Sequence, residues 1–260
     1  MIVDTTILYD PLFWLLGIPS VILMGLGKGG FIGVGTLAIP LMALVAPPVQ
    51  AAAILLPLLI VQDAVGVWAF RHSWDRHVMK VMVPGAILGV LLGYLFAASL
   101  REDWILLALG LISILFGAQQ LWAVRGGRPA PTQRLPDSVG VACGVAAGLT
   151  SQIAHAGGPP YQLYVFPQRL ERDVLVGTTA IFFALINWVK VPAYVALGQF
   201  TPVNLLASVA LMPVAIASTF AGVWLVRRVH PDRFYNLVYG LTILVGVKLL
   251  WDALALLLAR

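Results

Sequence analysis

Apolar residues run along this chain in long unbroken stretches, not in the alternation of a half-buried strand. Residues 81–100, 104–124, 174–197, 203–226 and 234–258 are each close to the roughly 20 residues a helix needs to cross a bilayer core. Helices and closed barrels are the structures that satisfy their backbone in lipid, and continuous apolarity without a period of two selects helices. The stretch 11–25 is apolar as well. Asp4 and Asp10 precede it and no Lys or Arg comes before Lys28, so it lacks the basic start of a cleavable signal and reads as a retained segment.

Two stretches break this pattern with residues that disrupt a helix and are costly to bury. "GLGKGGFIGVGTLAIP" (25–40) places a lysine among Gly25, Gly27, Gly29, Gly30, Gly33 and Gly35. "GLTSQIAHAGGPPYQL" (148–163) places His155, two glycines and two prolines in an apolar surrounding. The two answer to each other in an internal repeat. "LREDW" (100–104) recurs as "VHPDR" (229–233), 129 residues later, and "PGAILGVLLG" (84–93) aligns with "PVAIASTFAG" (213–222) at the same offset. Each half therefore reads as a glycine-interrupted segment followed by three long helices. The halves are residues 1–124 and 138–260, joined by a polar, proline-bearing linker, 125–137.

Charge placement orients the halves. Eleven of the sixteen Lys and Arg fall in four connections: Arg71, Arg76 and Lys80; Arg125, Arg128 and Arg134; Arg169 and Arg172; Arg227, Arg228 and Arg233. The positive-inside rule assigns these connections to the cytoplasm. All four share one side if each interrupted segment enters and leaves the membrane on the same side, 11–46 as a hairpin from outside and 138–167 as one from the cytoplasm. The expected fold is thus an all-α polytopic membrane protein of two inverted-topology repeats, with both termini outside the cytoplasm. Such repeats are typical of secondary transporters, whose sites lie near the midplane at broken helices. Reading 138–167 as one distorted span is the alternative, and it scatters the basic residues over both faces.

Composition agrees: the chain is 60% hydrophobic and 10% charged, with a mean hydropathy of +0.95. A soluble domain carries about 25% charged residues. The net charge of +5 belongs to basic loops, with no aromatic-interleaved basic surface, so nucleic acid is excluded as a partner and lipid is expected. Cys143 is the sole cysteine, which rules out an internal disulfide and a multi-cysteine metal site, and no cofactor motif is present. A homodimer is compatible with the pattern, although no single helix face demands one.

A hairpin that turns inside the membrane leaves N–H groups free at the start of its second helix, and that end attracts anions. Gly27, Lys28, Gly29 and Gly30 from the first tip, with Thr150, Ser151, Gln152, His155, Gly157 and Gly158 from the second, form a candidate anion site near the middle of the membrane. The glycines serve equally well to let helices pack closely. Lys28 is harder to explain as packing, since burying it costs roughly 2.5–3.5 kcal/mol and calls for an ion partner, a ligand or a water route. Gln62 and Asp63, and Asn187 and Lys190 at i, i+3, lie deep in long spans that correspond under the repeat, making them candidates for ion coupling or gating. An Asp63–Lys190 ion pair across the centre is one expectation; a proton-carrying Asp63 is the other. Lys248 and Asp252, at i, i+4, read as a local pair. Trp68, Trp74, Trp104, Trp188 and Trp251 need no role beyond the interface that aromatics prefer.

With these residues in view, "GLGKGGFIGVGTLAIPLMAL" resembles the glycine-rich opening motif of the TauE/SafE sulfite exporter family. "GLTSQIAHAGGPPYQLYVFPQRLERDVLVGTTAIFFALINWVKVPAYVALGQF" resembles the second-half motif of a bacterial branch of that family. The resemblance runs from about residue 11 to 258. It implies a 4+4 transporter of the bacterial inner membrane that exports sulfite, sulfoacetate or related organosulfur anions, driven by an ion gradient. The chain has no GxxxxGK[ST] phosphate loop. It departs from the family where His155, Pro159 and Pro160 interrupt what is often a run of glycines. A passive anion channel is the runner-up reading. An intramembrane enzyme is the third, and it lacks HExxH, GxSxG and any cysteine–histidine neighbourhood.

Overall fold

A computed structural model describes residues 6–31, 34–97, 101–125, 134–226, 228 and 232–258. Gly33, Arg128, Arg227 and most of the linker expected at 125–137 lie outside the described residues. The elements described are all helical: α1 (Thr6–Tyr9), α2 (Pro11–Lys28), α3 (Ala38–Met42), α4 (Pro48–Phe70), α5 (Arg76–Ala97), α6 (Glu102–Arg125), α7 (Asp137–Ala154), α8 (Gly158–Val165), α9 (Arg172–Ala196), α10 (Pro202–Val226) and α11 (Asp232–Leu258). Single 3-10 turns cover Val34–Leu37 and Phe166–Gln168. Among the described residues α2, α4, α5, α9 and α10 are long and apolar enough to cross a membrane. Large apolar side chains such as Trp68, Leu91, Trp188, Val209 and Trp251 face outward along the long helices, as lipid-facing surfaces require.

Local chemistry sets the breaks. Asp10 caps α2 by accepting from Leu12 N at 2.9 Å, and Pro11 takes the first helical position. Gly30 ends that helix at φ +128°, a conformation open to glycine. α7 ends differently. His155 occupies the left-handed region at φ 48°, while its N–H reaches Ser151 O and the Ala156 N–H reaches Thr150 O. For a residue with a side chain this conformation costs about 1–2 kcal/mol, so the surroundings must hold it there.

The two interrupted segments have unequal legs. α2 and α7 each have 18 residues, about 27 Å at 1.5 Å per residue. Their return legs, Val34–Met42 and α8, are only two to three turns long. Residues 28–31, 34–36 and 151–158 therefore lie deep among the long helices instead of at shallow tips.

Four helix pairs carry most of the packing: α5 with α7, α6 with α11, α2 with α10, and α4 with α9. Their registers give their directions. A Cβ at Gly85 or Gly89 would fall 2.4 or 2.1 Å from the carbonyl oxygens of Val141 and Val145, so α5 and α7 run parallel with backbones touching. Gly25 against Ser218 and Gly29 against Gly222 make α2 and α10 parallel as well. Asp63 opposite Asn187, and Phe70 O opposite Gly177, make α4 and α9 antiparallel. Gly110 beside Gly246, with Gly117 beside Tyr239, does the same for α6 and α11.

Candidate functional site

α4 and α9 cross at the centre, where the deep ends of α2 and α7 meet them. Lys28, the last residue of α2, places Nζ 2.5 Å from Asp63 Oδ1 on α4; Asp63 is 1% exposed and Lys28 15%. The contact is ionic and not an aligned hydrogen bond, since Oδ1 lacks a partner with hydrogen-bond geometry. Asn187 on α9 donates Nδ2–H to the other carboxylate oxygen at 2.5 Å. The Lys28 ammonium also lies 5.2 Å from the Phe183 ring centroid. Asp63 is thus held from both sides, and its ion partner is Lys28. The Asp63–Lys190 pair considered from sequence gives way to this one because α2 reaches deep enough to place Lys28 beside α4.

Lys190 instead serves the second broken segment. It is fully buried, with Nζ 3.2 Å from Ser151 O, 3.1 Å from Ser151 Oγ and 2.5 Å from His155 Nδ1. Three acceptors match the three N–H groups of an ammonium. His155 Nε2 lies 2.8 Å from Ala52 O on α4. A carbonyl accepts, so Nε2 carries the proton and Nδ1 offers its lone pair to Lys190, which assigns a neutral imidazole. These two bonds, with stacking on Tyr194 at 6.0 Å, fix the strained His155.

Both segments border one central cavity of about 110 Å³, several times the roughly 10–15 Å³ that one water occupies by this measure. Gly27, Lys28, Gly35 and Thr36 line it from the first half, and Ser151, His155, Gly158, Tyr161 and Gln162 from the second. Thr179, Phe183 and Asn187 of α9 complete the polar side, with Met24, Ile39 and Leu59 on the apolar side. Among the sequence candidates, Gly27, Lys28, Ser151, His155, Gly158 and Asn187 therefore meet at the cavity, while Asp63 and Lys190 stand directly behind it.

The remaining candidates sit elsewhere. A Cβ at Gly29 would lie 2.5 Å from Gly222 Cα, and Gly30 packs against Val226, so both shape the contact with α10. Gly157 packs within its own hairpin against Ala147 O. Thr150, one residue from Ser151 and so about 100° around α7, bonds to Ala146 O and faces away from the cavity. Gln152 is buried against Gly93, and Gln62 reaches Val21 O and Ala215 O at 3.4 Å, bracing α4 against α2 and α10. The free N–H groups expected at the start of α8 are also fewer than a helix start normally offers, because Pro159 and Pro160 have none. Positive charge here comes from lysines more than from a helix end. Lys248 and Asp252 form the local pair their spacing predicts.

A family model described as sulfite exporter TauE/SafE matches residues 16–249. The chain belongs to the TauE/SafE sulfite exporter family. The matched span includes every residue of the central cluster, from Lys28 to Lys190, and it makes this a multi-pass membrane protein of a transport family. Neither the curated proteins nor the solved structures compared with the chain give a match. Sequence reasoning missed Thr36, Tyr161, Gln162, Thr179 and Phe183. The first three follow directly on the glycine motifs, in "GVGTL" and "GGPPYQL", where short return legs had to face the same space.

Proposed function

We propose that the protein is a secondary transporter that exports small sulfur-containing anions, sulfite first among them, across the bacterial inner membrane. The observation that carries this reading is the Lys28 side chain at the wall of a cavity bordered by both interrupted segments. Lys28, Ser151 and Asn187 offer a small anion an ammonium, a hydroxyl and an amide at the wall of that cavity, the kind of partners a buried charge requires. Asp63 and the anion compete for the same ammonium. Protonating Asp63 frees Lys28 for the anion, so anion occupancy and a proton are linked, which is the basis for ion coupling. A bound divalent anion moving with one proton carries one negative charge outward, favoured by an inside-negative potential at about 2.3 kcal/mol per 100 mV.

The reading includes two inverted repeats. In support, α4 and α9 run antiparallel, as do α6 and α11, while α2 follows α10 and α7 follows α5. Exchanging the halves maps this set of relations onto itself. The basic connections then share the cytoplasmic face and both termini lie outside.

Uptake of labelled sulfite into proteoliposomes, with and without an acidic exterior, tests the proposal. Gradient-stimulated accumulation above the equilibrium level is expected. Accumulation that only equilibrates, whatever the gradient, would make the protein a passive channel.

A further inference from the structure

The central cavity does not stand alone. A narrow void of about 10 Å³, room for a single water, adjoins it and shares Thr36, Ile39 and His155 with it. On its other side the same void shares Ile112, Phe116 and Pro159 with a crevice of about 640 Å³ between α6, α7 and α8. Gln119, toward the end of α6, and Ser138, at the start of α7, line that crevice, so it extends to the membrane face where the linker joins the halves. Cavity, neck and crevice adjoin in that order, and Phe116 is among the residues that line the neck.

A second observation concerns what could widen the neck. α6 and α11 are closely joined: a Cβ at Gly110 would lie 2.9 Å from Gly246 O, and one at Gly117 2.9 Å from Tyr239 O. Phe116 stands edge-on to Tyr239 of α11, with centroids 6.0 Å apart at 84°. Toward α3, α4 and α7, by contrast, α6 makes only sparse contacts, and the pair's other main contact is that of α11 with the Val34–Met42 return leg. A pair packed this closely can move as one body and carry Phe116 with it.

We propose that Phe116 is the gate of the anion's route to the linker face, and that the α6–α11 pair opens it by moving away from His155 and Pro159. This rests on the transport reading above. With the gate shut, an apolar ring of Ile112, Phe116 and Pro159 breaks the water column and holds back a hydrated anion. With it open, the cavity joins a crevice whose Gln119 and Ser138 side chains can solvate the anion.

Cys143, the sole cysteine, lines the crevice, so a Cys143→Ala background permits single-cysteine probes. Gln119→Cys, Ala142→Cys and Phe116→Cys would be exposed to an anionic, membrane-impermeant thiosulfonate in sealed, oriented proteoliposomes. Ala142→Cys is a near-isosteric change and keeps the test valid should Phe116→Cys fold poorly. The expected result is labelling at 119 and 142 from the linker face, none from the opposite face, and faster labelling at 116 while sulfite is being moved. No labelling at 119 and 142 would mean acyl chains fill the crevice, and labelling from the opposite face would reverse the route; either overturns the proposal. Sulfite uptake by the same vesicles separates the two claims. Uptake without linker-face labelling refutes the route alone, whereas labelling without uptake refutes the sulfite assignment and supports the route.

Discussion

His155 joins a strained backbone to a hydrogen-bonded ring, and two substitutions separate these contributions. At φ 48° a residue with a Cβ costs about 1–2 kcal/mol that glycine does not. The imidazole donates to Ala52 O, worth about 1 kcal/mol, and accepts from the Lys190 ammonium, worth about 1.5–3 kcal/mol. His155→Ala loses both bonds and keeps the strain, for a cost of roughly 2.5–4 kcal/mol. His155→Gly loses the same bonds and recovers the strain, so it should be the more stable of the two by about 1–2 kcal/mol. At about 2–4 °C per kcal/mol, thermal unfolding of the purified protein should place the glycine variant about 2–8 °C above the alanine variant. Both variants should lose sulfite transport, since each leaves Lys190 short of an acceptor. An alanine variant as stable as the glycine variant would refute the claim that surroundings hold His155 in a costly conformation.

Other expectations follow from the same geometry. Asp63→Asn leaves Lys28 without its counter-ion and should destabilise the protein by roughly 3 kcal/mol, with part of the loss recovered in thermal unfolding when sulfite is present at saturating concentration. Gly89→Ala places a methyl against Val145 O and should cost about 1–3 kcal/mol in thermal stability without changing the ion dependence of residual transport. Lys190→Met removes the amine that holds Ser151 and His155 at the cavity wall and should lower sulfite affinity in equilibrium binding; unchanged affinity would separate Lys190 from the anion. A reporter fused at the C-terminus should be active only outside the cytoplasm, and cytoplasmic activity would overturn the inverted topology.

Much of the architecture could be read from hydropathy because lipid imposes a single requirement, continuous apolar helices, on every span. The interruptions at 29–33 and 155–157 were visible for the complementary reason: glycine and proline at membrane depth need protein or water around them. Partner choice was less legible. Symmetry suggested Asp63 opposite Lys190, but contact depends on how far α2 descends, and an 18-residue first leg is not distinguishable from a half-length one in an apolar run. Asn187 and Lys190 share a helix face, yet one bonds Asp63 and the other Ser151 and His155. Spacing along one helix says nothing about which neighbour each side chain meets. Ser151 and Thr150 make the same point: adjacent hydroxyls, equal in sequence, face different spaces.

The central claim is that Lys28 holds the transported anion. Labelled sulfite uptake into proteoliposomes by Lys28→Ala, beside unaltered protein of matched folding and insertion, tests it most directly. Loss of gradient-driven uptake with the fold intact is the predicted result. Uptake at the unaltered rate would contradict the site, and with it the role given to the charged cluster.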